Sequence, residues 1–230
     1  MNFKIKSTII TIILTIFWFT ISINGQGTII PLMQNGWVGG LSGNLGWDNY
    51  SINASNSLLN VDSKVKGFNF TISSRNGRFV ENNAVIGFDL QWEQKNSTIT
   101  PQNNIVSSES YEKEQLGFIG LWMRYYIPFI GTGWAIYPEA SAGYGNFKSV
   151  SERRVNNFTS KNNASADGFV YNVGLGTAIF VSNNIAFEAT ARYQGGKLKG
   201  DYEFTGQTLD NLEIRLSNID VLFGIMIYMR

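Results

Sequence analysis

From Trp37 to Tyr228 the chain alternates apolar and polar residues in strand-length segments, joined by connections that run long, short, long, short. In the first segment Trp37, Gly39, Leu41, Gly43, Leu45 and Trp47 share one face, while Gly40, Ser42, Asn44 and Gly46 share the other. A period of two is the side-chain period of a β-strand. The second expected strand covers residues 66–74, with Phe68, Phe70 and Ile72 opposite Asn69, Thr71 and Ser73. Asn76 and Gly77 follow it as a hairpin signal. The third covers about 79–94, with Ile86, Phe88, Leu90 and Trp92 opposite Val85, Gly87, Asp89, Gln91 and Glu93.

The fourth, about 113–127, carries large residues on both faces, and Arg124 selects the polar one, together with Gly120, Trp122 and Tyr126. After a turn at Gly131 and Thr132, the fifth runs to about 148 with Tyr137, Glu139, Ser141 and Gly143 on its polar face. The sixth covers 168–181, and a turn at 182–184 leads to the seventh, 185–197, with Glu188, Thr190, Arg192 and Gln194 on the polar side. The eighth starts near Ile214 and sets Asp220 against Ile219, Val221, Phe223, Ile225 and Ile227. Eight strands with short turns on one side and long connections (48–65, 95–112, 149–167 and 198–213) on the other predict an all-β, eight-stranded antiparallel up-and-down barrel.

Which face points inward decides the solvent. Trp37 and Trp47 lie ten residues apart on one face, roughly 33 Å along the strand, and a tilt of about 40° projects this to roughly 25 Å. That is the height of the lipid-facing band of a transmembrane barrel, whose aromatic girdles mark the two interfaces. Trp37, Trp47, Trp92, Trp134, Tyr144 and Tyr193 are the expected girdle residues. A soluble lipocalin-like barrel would reverse the faces. Here the apolar face is too bulky for the narrow interior of an eight-stranded barrel, and the polar face is rich in Gly, Ser, Asn and Thr rather than lysine.

The first 25 residues read as a secretory signal peptide: Lys4 and Lys6, an apolar stretch over 9–23, then cleavage near Gly25. The alternative for this stretch is a single spanning helix. The domain that follows is then 26–230. Of 18 basic residues the leader removes Lys4 and Lys6, which against 17 acidic leaves a net charge near −1 and no nucleic-acid footprint. Cysteine is absent, so neither disulfides nor thiolate metal sites contribute. Histidine is also absent, so no Ser-His-acid or His-acid site can be assembled. A non-enzyme without cofactor or metal is expected.

The segments WAIYPEASAGYGNF (134–147) and YNVGLGTAIFVSNNIAFEATARYQGG (171–196) resemble the small outer-membrane β-barrel domain proteins common in Bacteroidetes, relatives of the barrel half of outer-membrane protein A. The resemblance implies a cell outer-membrane location, contact with outer-membrane lipid, insertion by the barrel-assembly machinery and a monomeric scaffold; it implies no chemistry. Inside such a barrel Asp89, Glu93, Arg124, Glu139, Glu188, Arg192 and Asp220 form an expected ionic cluster, since buried charges persist when paired. Symmetry of the fourth hairpin about 131–132 sets Arg124 opposite Glu139. The functional expectation is a structural or surface-interaction role, adhesion or ligand binding, through the long connections. The alternatives are a narrow passive pore and a secreted lipocalin-like binder.

Overall fold

The computed structural model describes residues 32–56, 59–101, 108–129, 132–155, 158–204 and 207–229. The expected leader at 1–25, its cleavage point and the alternative spanning helix lie outside the described residues. The described residues form nine strands: β1 (Trp37–Asn56), β2 (Leu59–Glu81), β3 (Ala84–Pro101), β4 (Ser108–Tyr125), β5 (Ile127–Phe129), β6 (Trp134–Val155), β7 (Phe158–Phe180), β8 (Ile185–Phe204) and β9 (Gln207–Met229). They make one antiparallel up-and-down sheet in which β4 also pairs with β6, and β1 pairs with β9.

Nine strands stand where eight segments were expected because the fourth is interrupted at Tyr126. By register Tyr125 faces Pro138, which has no N–H to donate to a ladder. The β4–β6 pairing stops at Arg124↔Glu139 and resumes as Ile127↔Ile136 in β5. On the other side the β3–β4 register runs on one step, the Tyr126 N–H donating to the Asn83 carbonyl at 2.8 Å.

Asn76 and Gly77 do not form the expected turn. They pair with Gly39 and Val38 inside β2, and the chain reverses at Asn82 and Asn83, where Asn83 takes the left-handed conformation at φ 71°. The inward alternation Thr71, Ser73, Arg75, Gly77, Phe79 runs through the dipeptide unbroken, and the period along the strand outweighs the local turn preference. Phe79 therefore belongs to β2, which ends at Glu81, and β3 begins at Ala84. The turns at 132–133 and 182–184 are where the pattern placed them; Gly131 lies outside the described residues.

The four long connections are, over most of their length, strands. β1 and β2 keep one register to Asn56↔Leu59, β3 and β4 to Ile99↔Ser110, and β6 and β7 to Val155↔Phe158. β8 and β9 continue to Phe204↔Gln207 through one register shift at Gly200 and Asp201. Apolar alternation reports burial against lipid or core, so it fades where both faces are wet, while the backbone ladder does not. Residues 102–107 of the expected connection 95–112 lie outside the described residues.

The two faces separate cleanly. Leu41, Ile86, Leu121, Leu175 and Phe223 are exposed, while Ser73, Asp89, Arg124, Glu139, Asn172 and Gln194 are buried. The exposed face is apolar and the buried face polar at mid-height, the reverse of a water-soluble barrel.

Candidate functional site

The buried face is layered. At the short-turn end Val38, Phe79, Val85, Trp122, Tyr126, Tyr137, Phe180, Met226 and Tyr228 form an apolar and aromatic layer. Tyr228 stacks with Phe180, Tyr126 and Phe79 at centroid distances of 5.2, 6.2 and 6.3 Å. Leu32, ahead of β1, joins this layer, held by its carbonyl accepting from Asn83 N at 3.2 Å.

Above it lies the ionic layer. Arg124 and Glu139 are directly opposite in the β4–β6 register, as the hairpin symmetry predicts, and their side chains meet at 2.7 Å. The pair is not exclusive. Arg124 also reaches Glu188 at 2.7 Å, and Glu139 accepts from Arg75 at 3.0 Å. The guanidinium of Arg124 lies 3.8 Å from the Tyr137 ring centroid and 4.9 Å from that of Trp122, where the negative ring faces add to its stabilisation. Glu188 has Tyr137 and Tyr228 hydroxyls donating to it, each at 3.2 Å. Asp89 is 3.7 Å from Arg75 and accepts from Ser73, Gln91 and Ser141 at 2.8, 2.6 and 3.0 Å.

Thus Asp89, Arg124, Glu139 and Glu188 belong to one network, Asp89 being joined to it through Arg75, a residue that the hairpin signal of Asn76 and Gly77 places in a turn. Arg192 and Asp220 pair separately at 2.8 Å, and Glu93 takes part in none of the ion pairs among the described residues. The signal for Arg75 was present: it continues the inward parity of Thr71 and Ser73.

A second apolar cluster, Leu116, Phe118, Ala166, Val170 and Leu198, with Phe147, Ile214 and Leu216 packed against it, occupies the enclosed face higher up. The buried face therefore carries an apolar layer on either side of the ionic one, the lower of them including Trp122, Tyr126 and Tyr137 as the inward parity expects. Beside the upper cluster is a cavity of about 260 Å³ lined by Glu93, Lys95, Glu114, Leu116 and Phe147.

On the outward face Trp47, Phe68, Phe70 and Trp92 make a chain of ring contacts at 5.1–6.1 Å, and Phe169, Tyr171 and Tyr193 make another at 6.2–6.3 Å. Tyr144 pairs with Phe169 across β6 and β7. Trp37 and Trp134 stand near the short turns, opposite Arg78 and Ile179. Trp37 and Trp47 are exposed, and Trp134 is half-buried.

No family model matches the chain, and no curated protein matches it. Among solved structures it is similar to the outer membrane protein OprG from Pseudomonas aeruginosa, at 11% identity over 88% of this chain and 100% of that one, TM-score 0.45. A major outer membrane protein from Thermus thermophilus shows 8% identity over 84% and 99%, TM-score 0.48. Ail, the attachment invasion locus protein of Yersinia pestis, shows 15% identity over 86% and 100%, TM-score 0.33.

Proposed function

We propose that this chain is a monomeric, non-enzymatic outer-membrane β-barrel of eight strands, β4 and β5 being one interrupted strand, that acts as a surface-interaction scaffold. The supports for closure are the β1–β9 and β4–β6 ladders, which give each long strand a partner on both sides along at least part of its length. The support for the membrane is the outward wall: Leu45, Leu121, Leu175 and Phe223 are each more than 60% exposed, a continuous apolar surface that water penalises and lipid does not. Trp37 and Trp134 mark the inner interface of that wall, and Trp47, Trp92, Tyr144 and Tyr193 the outer one. The absence of histidine from the chain supports a non-enzymatic role.

The observation that carries the functional reading is the filled interior together with the hairpins that rise beyond the outer aromatic level. With the lumen packed and the wall in lipid, the extended ends of β1–β2, β3–β4, β6–β7 and β8–β9 are the surface that meets the outside. They differ from mobile loops in being laddered, so their backbone positions sit at fixed spacings. Trimming the hairpins to short turns just above Trp47, Trp92, Tyr144 and Tyr193 should leave a barrel that still shifts on gels between unboiled and boiled samples but no longer adheres to host-cell or matrix surfaces that the parent binds. Undiminished adhesion by the trimmed barrel would refute the reading.

A further inference from the structure

The barrel wall is not laddered to the same height all round. β1 pairs with β9 only from Trp37↔Met229 to Gly43↔Phe223, although β1 stays on β2 to Asn56 and β9 stays on β8 to Gln207. Above Gly43 the β1–β2 and β8–β9 hairpins part, and among the described residues no ladder pair joins 44–47 to 219–222. A groove of about 800 Å³ occupies the seam, with Leu45, Phe70, Ile72 and Val221 on its rim and Asn44 and Asp220 at its floor. Ile219, on its β9 edge, is 80% exposed. Asn44 is three residues below Trp47, roughly 10 Å along the strand, so the seam opens in the part of the wall that the outer leaflet covers.

In place of a backbone ladder there is a side-chain sill. Asn44 Nδ2 donates to Asp220 Oδ1 at 3.5 Å, a long contact, and Arg192 Nη2 donates to Asp220 Oδ2 at 2.8 Å. Three buried atoms of this sill have no hydrogen-bond partner: Asn44 Oδ1, which accepts, and Arg192 Nε and Nη1, which donate. Arg192 is only 1% exposed. Unpaired buried polar groups, and strand edges facing hydrocarbon, both demand a polar partner. Of these residues Asn44, with Asp220, lines the groove, and their long contact leaves a place for a group that accepts from the amide and donates to the carboxylate. That carboxylate stands in front of the guanidinium, with Glu93 close by, which disfavours an anionic head.

We propose that the β1–β9 seam is a lateral port that takes an uncharged, hydroxyl-bearing amphiphile from the outer leaflet, its tail along Leu45, Phe70 and Val221 and its hydroxyl on Asn44 and Asp220. A hydroxyl both donates and accepts, so one group can serve the sill, and the tail never leaves an apolar surface. The inference rests on the membrane reading above; failure of that reading would show first as a protein that does not insert and is not heat-modifiable.

The test is a titration of the full-length barrel in lipid nanodiscs with 1-dodecanol, with dodecanoate as comparison, read by amide chemical shifts. Saturable shifts confined to 43–46 and 219–223 are expected with dodecanol, at least tenfold weaker with dodecanoate. Asn44→Leu should weaken dodecanol binding at least tenfold while the gel shift of the folded barrel is retained. Because the chain has no cysteine, the pair Leu45→Cys and Val221→Cys, two steps beyond the last ladder pair, provides a lock: oxidation should abolish the shifts and reduction restore them. Equal shifts at Leu121 and Val173 on the opposite wall would mean ordinary partitioning and overturn the proposal. So would unaltered binding by Asn44→Leu, or by the oxidised pair. Cross-linking of Leu45→Cys to Val221→Cys between two molecules would mean that a second copy fills the seam, and would overturn it as well. If the pair does not oxidise, the Asn44→Leu titration decides.

Discussion

Replacing Arg124 with methionine should be the most damaging single change in the ionic layer, and Glu188 rather than Glu139 is the reason. The layer holds three carboxylates, Asp89, Glu139 and Glu188, against two guanidiniums, Arg75 and Arg124. Removing Arg124 leaves Glu139 with Arg75 at 3.0 Å. It leaves Glu188 with only tyrosine hydroxyls, those of Tyr137 and Tyr228 at 3.2 Å and Tyr126 at 3.4 Å. Breaking a buried pair by removing one partner costs about 3–5 kcal/mol, because the remaining charge is uncompensated. Glu188→Gln should cost less, about 1.5–3 kcal/mol for a lost charged hydrogen bond, since Arg124 keeps Glu139. The double change Arg124→Met with Glu188→Gln should then be milder than Arg124→Met alone, with a coupling of about 2 kcal/mol, inside the range for residues in contact. The same cycle with Glu139 should couple more weakly, because Arg75 shares that carboxylate. Urea unfolding in lipid vesicles, followed by tryptophan fluorescence and gel mobility, measures all of these. A cost below about 1 kcal/mol for Arg124→Met, or additive single effects for Arg124 and Glu188, would refute the reasoning.

Other outcomes follow from the packing. A Cβ at Gly176 would fall on the Tyr137 ring, so Gly176→Val should lower stability by about 1–3 kcal/mol through overpacking, and a Tyr137→Leu background should remove most of that penalty in the same urea assay. The two apolar layers close the interior, so the parent should show no steady porin-sized conductance in a planar bilayer, while Phe79→Ala with Tyr228→Ala should raise it; a conducting parent would count against a filled lumen. Glu114, above the outer aromatic level, has its carboxyl pushed up by burial, against the opposing pull of Lys95. A raised folded-state value means stability is lost as pH rises past the ordinary glutamate range. Glu114→Gln should therefore stabilise the barrel at neutral pH, with the difference vanishing in acid; a constant difference at all pH values would show that the charge is not its cause.

The alternation of side chains was enough to determine that this chain is a sheet protein, which face is apolar, and that Arg124 stands opposite Glu139. Those are properties of period and hairpin symmetry, both written along the chain. The extent of the strands was not legible, because pairing above the apolar band is held by backbone hydrogen bonds that leave no hydropathy pattern. The turn at Asn82 and Asn83 was hidden behind the stronger local signal of Asn76 and Gly77, which register overrode. Arg75 on β2, Arg124 on β4 and Glu188 on β8, no two of them on neighbouring strands, meet in one network, and the apolar layer at the short-turn end gathers Phe79 with Tyr126 and Tyr228. Only the curling of the sheet brings such positions together, since parity says that a residue points inward but not which distant residue it finds there. The parting of β1 from β9 above Gly43 is likewise a decision of the tertiary structure: both edges alternate as ordinary strands, and whether two chain ends of the sheet stay paired depends on how the whole wall curls.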